Sequence, residues 1–283
     1  MAEFKLCAFA DEAGDSLAEQ IKAMQENGIG LLELRTIDKE NVTTFTNEQV
    51  KEYKKQLDDA GIKVWALGSP IGKVQISADF NIDLDLCKRT VEISDMFGAK
   101  SIRMFSFYGT NGEEQYRDTV MERLAKYVET TKGTDVTLCH ENEKGIYGDT
   151  AARCLEIHQN VPGLKCVFDP ANYVQVGQDT LEAWAMLEPY IFYGHIKDYS
   201  VAADSIVPPG KGDGHIPEYL PKFLANGGGV LTLEPHLKSF SALKSLEEPG
   251  DESKIGFYHF ETQREAFDCA VNSLKEIIKE IKL

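Results

Sequence analysis

Four apolar runs in the second half of the chain each finish on a side chain that can hold a metal or move a proton. VTLCHEN ends at Glu141, LKCVFDP at Asp169, FYGHIKD at His195 and VLTLEPH at Glu234. Three carboxylates and an imidazole gathered in one place repel one another and resist burial unless a cation neutralises them. An oxygen-rich donor set with one nitrogen suits manganese or magnesium, so the pattern points to one divalent cation, Mn2+ first, with Mg2+, Co2+, Zn2+ and Fe2+ left open by ligand type. Such a cation, holding a carbonyl and the neighbouring hydroxyl of a substrate, acidifies the C–H between them by stabilising enediolate charge. One acid at a strand end is ordinary, but four on consecutive strands make a pattern.

Side chains spread over four strands meet only if the strands lie side by side. Eight short apolar runs recur, at 4–9, 31–34, 62–67, 101–105, 136–141, 164–169, 191–196 and 230–234. Between them, stretches such as 16–27, 47–60, 83–97 and 114–131 repeat apolar residues every three or four positions, the period of an amphipathic helix. Several of these end in glycine before the next strand, at Gly28, Gly61 and Gly98, where a left-handed cap costs least. Strict strand–helix alternation demands parallel strands with crossover helices, and eight units in this length give an α/β fold: one (β/α)8 TIM barrel, a single domain over 1–283. The segments 200–214 and 235–257 then become long loops on the face that carries the active site.

Alternation along each strand tests which residues face the barrel interior. On strand eight Thr232, Glu234 and His236 share the face opposite Leu231 and Leu233; on strand seven Tyr193, His195 and Lys197 go together, on strand six Val167 and Asp169, on strand five Thr137, Cys139 and Glu141. Arg35 and Arg103 finish strands two and four, opposite Leu32/Leu34 and Ile102/Met104. Their guanidinium groups can meet a substrate oxyanion or neutralise neighbouring acids. Lys197 and His236 are candidates to donate protons or hydrogen bonds to substrate, whereas His140 points away from the face of Glu141. Trp65, Phe107 and Tyr108 offer either core packing or an apolar wall for a sugar ring. The glycine-rich PPGKGDGHIP lacks the spacing of a phosphate-binding loop and reads as a turn-rich connection.

The chain has 283 residues, 42% of them hydrophobic, enough for a large single core. Its 30 lysines and arginines against 46 acidic residues give a net charge of −16, which excludes nucleic acid and anionic membrane surfaces as expected partners. The mixed charges of the first thirty residues and the lack of a long apolar run point to a cytoplasmic protein. Cys7, Cys87, Cys139, Cys154, Cys166 and Cys269 form no Cys-x-x-Cys pair and read as buried thiols. A homo-oligomer is compatible with the sequence.

The ordered set VTLCHEN, CVFDPAN, YGHIKDY and LTLEPH resembles the xylose isomerase-like superfamily of sugar isomerases and epimerases, over nearly the whole chain. The resemblance implies a divalent-metal-dependent isomerase or epimerase acting on a small sugar or polyol by proton transfer through a metal-stabilised enediolate. It makes Glu141, Asp169, His195 and Glu234 the metal ligands, with Glu141 and Glu234 also exchanging protons with substrate carbon. Two positions depart from the ketose 3-epimerases: Asn172 stands where they have histidine, and Val201 where they have arginine. Both positions touch substrate in that group, so Asn172 joins Arg35, Arg103, Lys197 and His236 as a candidate substrate contact. The departures keep a lyase or dehydratase acting on an inosose or 3-keto-glycoside as the alternative, and a catalytically silent sugar-binding protein as a second. The DNA-repair branch of the superfamily needs more histidines and a basic face, which the net charge of −16 opposes.

Overall fold

Strands buried on both faces read as near-continuous apolar runs, and this explains why the eight runs are so uniformly hydrophobic. The computed structural model describes residues 3–243 and 253–281. Its barrel strands are β1 (Glu3–Ala8), β2 (Leu31–Leu34), β3 (Lys63–Gly68), β4 (Ser101–Met104), β5 (Thr137–Glu141), β6 (Lys165–Phe168), β7 (Ile191–Ile196) and β8 (Gly228–Leu233). They are parallel and closed, each paired with its sequence neighbours and β1 with β8, the register running from Glu3 opposite Gly228 to Ala8 opposite Leu233. Inward-facing Cys7, Ala66, Cys139, Val167, Tyr193 and Val230 fill the barrel below the site. Outward-facing Leu32, Leu34, Leu67, Ile102, Leu138, Phe168, Ile196, Leu231 and Leu233 pack under the helices. The chain is thus a (β/α)8 barrel.

The helices begin and end where local chemistry says they should. Ser16 and Glu19 form a reciprocal capping box at the start of α1 (Leu17–Glu26), and Thr46 with Gln49 does the same for α2 (Asn47–Asp59). Gly28, Gly61 and Gly98 all have φ between +64° and +75°, the left-handed conformation expected of them. Further helices are α3 (Phe80–Phe97), α4 (Arg117–Thr130), α5 (Ala151–Asn160), α6 (Pro170–Gln175), α7 (Thr180–Leu187), α8 (Ile216–Ala225) and α9 (Gln263–Ile281). The expected loop at 200–214 contains part of a small hairpin, Asp198–Ser200 paired with Ser205–Val207. Of the loop expected at 235–257, residues 244–252 lie outside the described residues. Cys7, Cys87, Cys139, Cys154 and Cys166 are buried free thiols, and Cys269 is half-buried. Among the described residues no helix is long and apolar enough to cross a membrane.

The loop after β3 is fastened to the exit of β4. Phe105, Phe107 and Tyr108 donate backbone N–H groups to the carbonyls of Ile71, Gly72 and Val74 at 2.9–3.0 Å, and Ile76 returns one to Tyr108. Gly72 makes this approach possible, with φ +80° and space for no side chain: a Cβ there would lie 2.1 Å from the Phe105 carbonyl oxygen. Gly72→Ala is therefore expected to cost about 2 kcal/mol or more. The measurement is the urea midpoint at unchanged m-value; a midpoint equal to wild type contradicts the packing described.

Candidate active site

Each of the four strand-end residues reaches the interior at the C-terminal mouth. Glu141, Asp169, His195 and Glu234 are buried, and each offers a ligand-type atom within 4.8 Å of those of the other three. His195 Nδ1 lies 3.0 Å from Glu141 Oε1 and 3.3 Å from Glu234 Oε2. Its Nε2 lies 3.2 Å from Glu33 Oε2, and Tyr193 donates its hydroxyl to Glu33 Oε1 at 2.8 Å. Burial alone would push the imidazole's pKa down, but the carboxylates of Glu141, Glu33 and Glu234 override it and hold His195 protonated. A divalent cation can replace that proton, because imidazole binds metals in its neutral form.

Asp169 is fixed from three sides. As N-cap of α6 it accepts the Asn172 N–H at 3.0 Å; its own N–H donates to Asn142 Oδ1, and Asn142 Nδ2 donates to its carbonyl. Asn172 donates from Nδ2 to the Asn142 carbonyl at 2.8 Å, which makes it a brace for this turn while it also lines the cavity. Lys197 Nζ bridges Asp169 Oδ2 at 2.8 Å and Glu234 Oε2 at 3.2 Å. Burial raises the pKa of Asp169, against the pull of Lys197.

The two arginines differ in position. Arg35 bonds Asp11 with Nε and Nη2, Glu12 with Nη2 and Glu234 with Nη1, at 2.9–3.2 Å, and lies outside the cavity lining. Arg103 lines the cavity and joins the two glutamates, with Nη1 at 3.0 Å from Glu141 Oε2 and 3.6 Å from Glu234 Oε1. Both guanidinium groups lie against the Phe9 ring, at 4.3 and 5.2 Å from its centroid. His236, with a left-handed φ of +47°, donates its backbone N–H to Glu12 Oε2 at 2.7 Å, and its Nε2 lies 3.7 Å from Glu234 Oε1. Burial keeps this imidazole neutral and also pushes the Glu12 carboxyl up to about 8. His140 faces away from the cavity, where its Nε2 pairs with Ser106 Oγ at 2.9 Å.

Several supporting groups carry no motif. Glu33 was available to the alternation that turns Arg35 inward, since the two are separated by one residue in LLELR. Asp11 and Glu12 sit on the turn after β1 and had no strand to reveal them. The glycine-rich connection does cradle an anion, though an internal one: Gly210, Gly212 and Gly214 donate N–H groups at 2.8–3.0 Å to the carboxylate of Asp198, the residue after Lys197. Of the three candidate aromatics, Tyr108 lines the mouth. Phe107 instead packs on Phe80 and Tyr127 in the helix layer, and Trp65 stacks on Phe192 at 5.9 Å near the strands' N-terminal ends. Phe105 joins Tyr108 in the cavity wall.

The donor chemistry fits a divalent cation. Buried carboxylates of Asp11, Glu33, Glu141, Asp169 and Glu234, with Glu12 pushed up to about 8, surround the cationic side chains of Arg35, Arg103 and Lys197 and the proton held on His195. A divalent cation that takes the place of the His195 proton would supply the positive charge these buried carboxylates need. A cavity lined by Arg103, Glu141, Asn172, Lys197, Glu234 and His236 opens above the cluster.

A closed (β/α)8 barrel with a buried carboxylate–histidine cluster at its C-terminal mouth defines the class to which this chain is assigned. Residues 21–279 match the model of the xylose isomerase-like TIM barrel family, and the chain belongs to that family. A 3-dehydroshikimate dehydratase of Bacillus anthracis is 23% identical over 193 residues, 66% of this chain and 68% of the relative. The structure of an L-ribulose 3-epimerase superposes with a TM-score of 0.75 at 17% identity, covering 100% of this chain and 96% of that one. A xylose isomerase-like TIM barrel protein of Mycobacterium smegmatis, in complex with magnesium, gives 0.71 at 14% identity, covering 100% and 98%. At these identities the structural likeness establishes the fold.

Proposed function

We propose that the protein is a divalent-metal-dependent enzyme that moves a proton at the carbon next to a carbonyl in a small sugar or polyol, and that its reaction is isomerisation or epimerisation. The observation that carries this reading is the convergence of Glu141, Asp169, His195 and Glu234 on one buried point beneath an open cavity. These four residues would hold the cation, with Mn2+ first and Mg2+ supported by the magnesium-bound relative. When bound, the metal supplies positive charge that stabilises the carbonyl oxygen as the adjacent C–H is lost.

The protein's own groups do the rest. Glu141 turns Oε1 to His195 and Oε2 to Arg103, so one oxygen serves the cluster while the other is held by an arginine that lines the cavity. Glu234 is divided likewise, Oε2 to Lys197 and His195, Oε1 to Arg35 and Arg103. The cations around them outweigh burial and hold both carboxyls below the usual range, so each is ionised at neutral pH, the form a proton acceptor needs, at the expense of basicity. Lys197, Arg103 and His236 line the cavity as donors and acceptors for substrate oxygens.

A second reading is a lyase, which shares the proton abstraction and then expels a β-hydroxyl. The dehydratase relative favours it. The metal-loaded enzyme incubated with ketoses, inososes, 3-keto-glycosides and 3-dehydroshikimate is expected to yield an isomeric ketose or epimer; a dehydrated product instead selects the lyase. A folded protein that retains no Mn2+ or Mg2+ after soaking and desalting refutes both.

A further inference from the structure

One ion pair at the mouth has no part in the proton chemistry. Lys73, on the loop after β3, places Nζ 2.9 Å from both carboxylate oxygens of Glu143, on the loop after β5. The pair therefore spans the mouth from one loop to another. Its ammonium lies 4.4 Å from the centroid of Phe105, and both residues line the same cavity as Arg103, Glu141 and Glu234. Neither side chain is free to drift: their exposures are 9% and 18%. The Lys73 loop is held by the backbone bonds to β4's exit and by the Gly72 N–H donating to Asp83 at 2.9 Å, and the Glu143 N–H is bonded to the Gly148 carbonyl.

Building on the proposed function, we infer that Lys73 and Glu143 form a clamp that reads a hydroxyl on the part of the substrate remote from the metal, and that the pair selects neutral polyhydroxylated substrates over carboxylated or phosphorylated ones. A hydroxyl both accepts and donates, so it can take a bond from Nζ and give one to a Glu143 oxygen at once. A carboxylate or phosphate has no proton to give. It would face the Glu143 charge, and like charges set side by side are costly. Lys73, already matched by Glu143 through both oxygens, offers such an anion no uncompensated charge.

The test uses the Mn2+-loaded full chain and isothermal titration with D-tagatose and L-ribulose as neutral probes and 3-dehydroshikimate as the carboxylated one. Wild type is expected to bind at least one ketose about tenfold more tightly than 3-dehydroshikimate. Glu143→Gln, which keeps shape and removes charge, should shift that ratio about tenfold toward the carboxylate with bound manganese unchanged. Lys73→Met should weaken the ketose further, and Lys73→Arg should restore selectivity. Tighter binding of 3-dehydroshikimate by wild type, a ratio unmoved within about twofold in both charge-removing variants, or no binding of any probe to the loaded protein overturns the clamp. Failure of wild type to hold manganese overturns the underlying metal reading as well, so the two failures are told apart by the metal content.

Discussion

Asp169→Ala and His195→Ala are each expected to lose the divalent cation and turnover together, with affinity for Mn2+ falling by more than about 100-fold, since even groups that only orient a ligand are worth 10–100-fold. The two variants fail for different local reasons. Asp169 is held by the Asn142 and Asn172 bonds, so truncation removes a donor whose turn remains in place. His195 separates Glu141 from Glu234, at 3.0 and 3.3 Å, and its loss also lets two carboxylates face each other. Arg103→Ala provides the contrast, because it touches the outer oxygen of Glu141 and leaves the oxygen toward His195 alone. It should retain metal and lose activity. Metal affinity should also fall between pH 8 and pH 6, since burial raises the Asp169 pKa and protons then compete with the cation. Manganese titration followed by electron paramagnetic resonance reads the affinities, and a turnover assay the activities. Full affinity in both ligand variants removes Asp169 and His195 from the metal site.

The parts of this site that were legible in the sequence are those that regular structure makes periodic. A strand alternates its faces, so Glu141, Asp169, His195, Glu234, Arg103 and Lys197 could be placed inward from their neighbours alone, and the structure brings these six into contact. At Trp65 the structure shows core packing and not a wall for substrate: a place on a strand does not say how far up the barrel a side chain stands, and Trp65 lies low, against Phe192. Phe107 shows the other limit. Beyond the end of β4 the backbone takes φ +69° at Phe107, alternation stops, and the ring turns into the helix layer while Phe105 and Tyr108 face the cavity. Asp11, Glu12 and Glu143 come from turns and loops, where no period exists. Arg35 was correctly turned inward, yet only the positions of Asp11 and Glu12 reveal that its nitrogens are already engaged within the protein.

Turnover in deuterium oxide is expected to place solvent deuterium on the carbon next to the substrate carbonyl, and Glu234→Gln to lower that exchange by at least about 10²-fold, the usual contribution of a positioned acid or base. The expectation rests on the division of each glutamate between the cluster and an arginine, which leaves Glu141 Oε2 and Glu234 Oε1 at 3.0 and 3.6 Å from one Arg103 nitrogen. A substrate carbon lying between two such oxygens can lose its proton to one, become planar, and gain a proton from the other, the requirement for inverting a centre. Glu234→Gln keeps a side chain of the same size and an oxygen for the cation but cannot accept the proton, so manganese content separates the two roles of this residue. Loss of exchange with metal retained identifies Glu234 as a proton carrier. A residual rate within about tenfold of wild type, ~1.4 kcal/mol of barrier, leaves it as a ligand only and shifts the chemistry to Glu141 or Lys197. Quantitative retention of the carbon-bound hydrogen during turnover of wild type would point to hydride transfer and remove both glutamates from the chemical step, even with the metal in place.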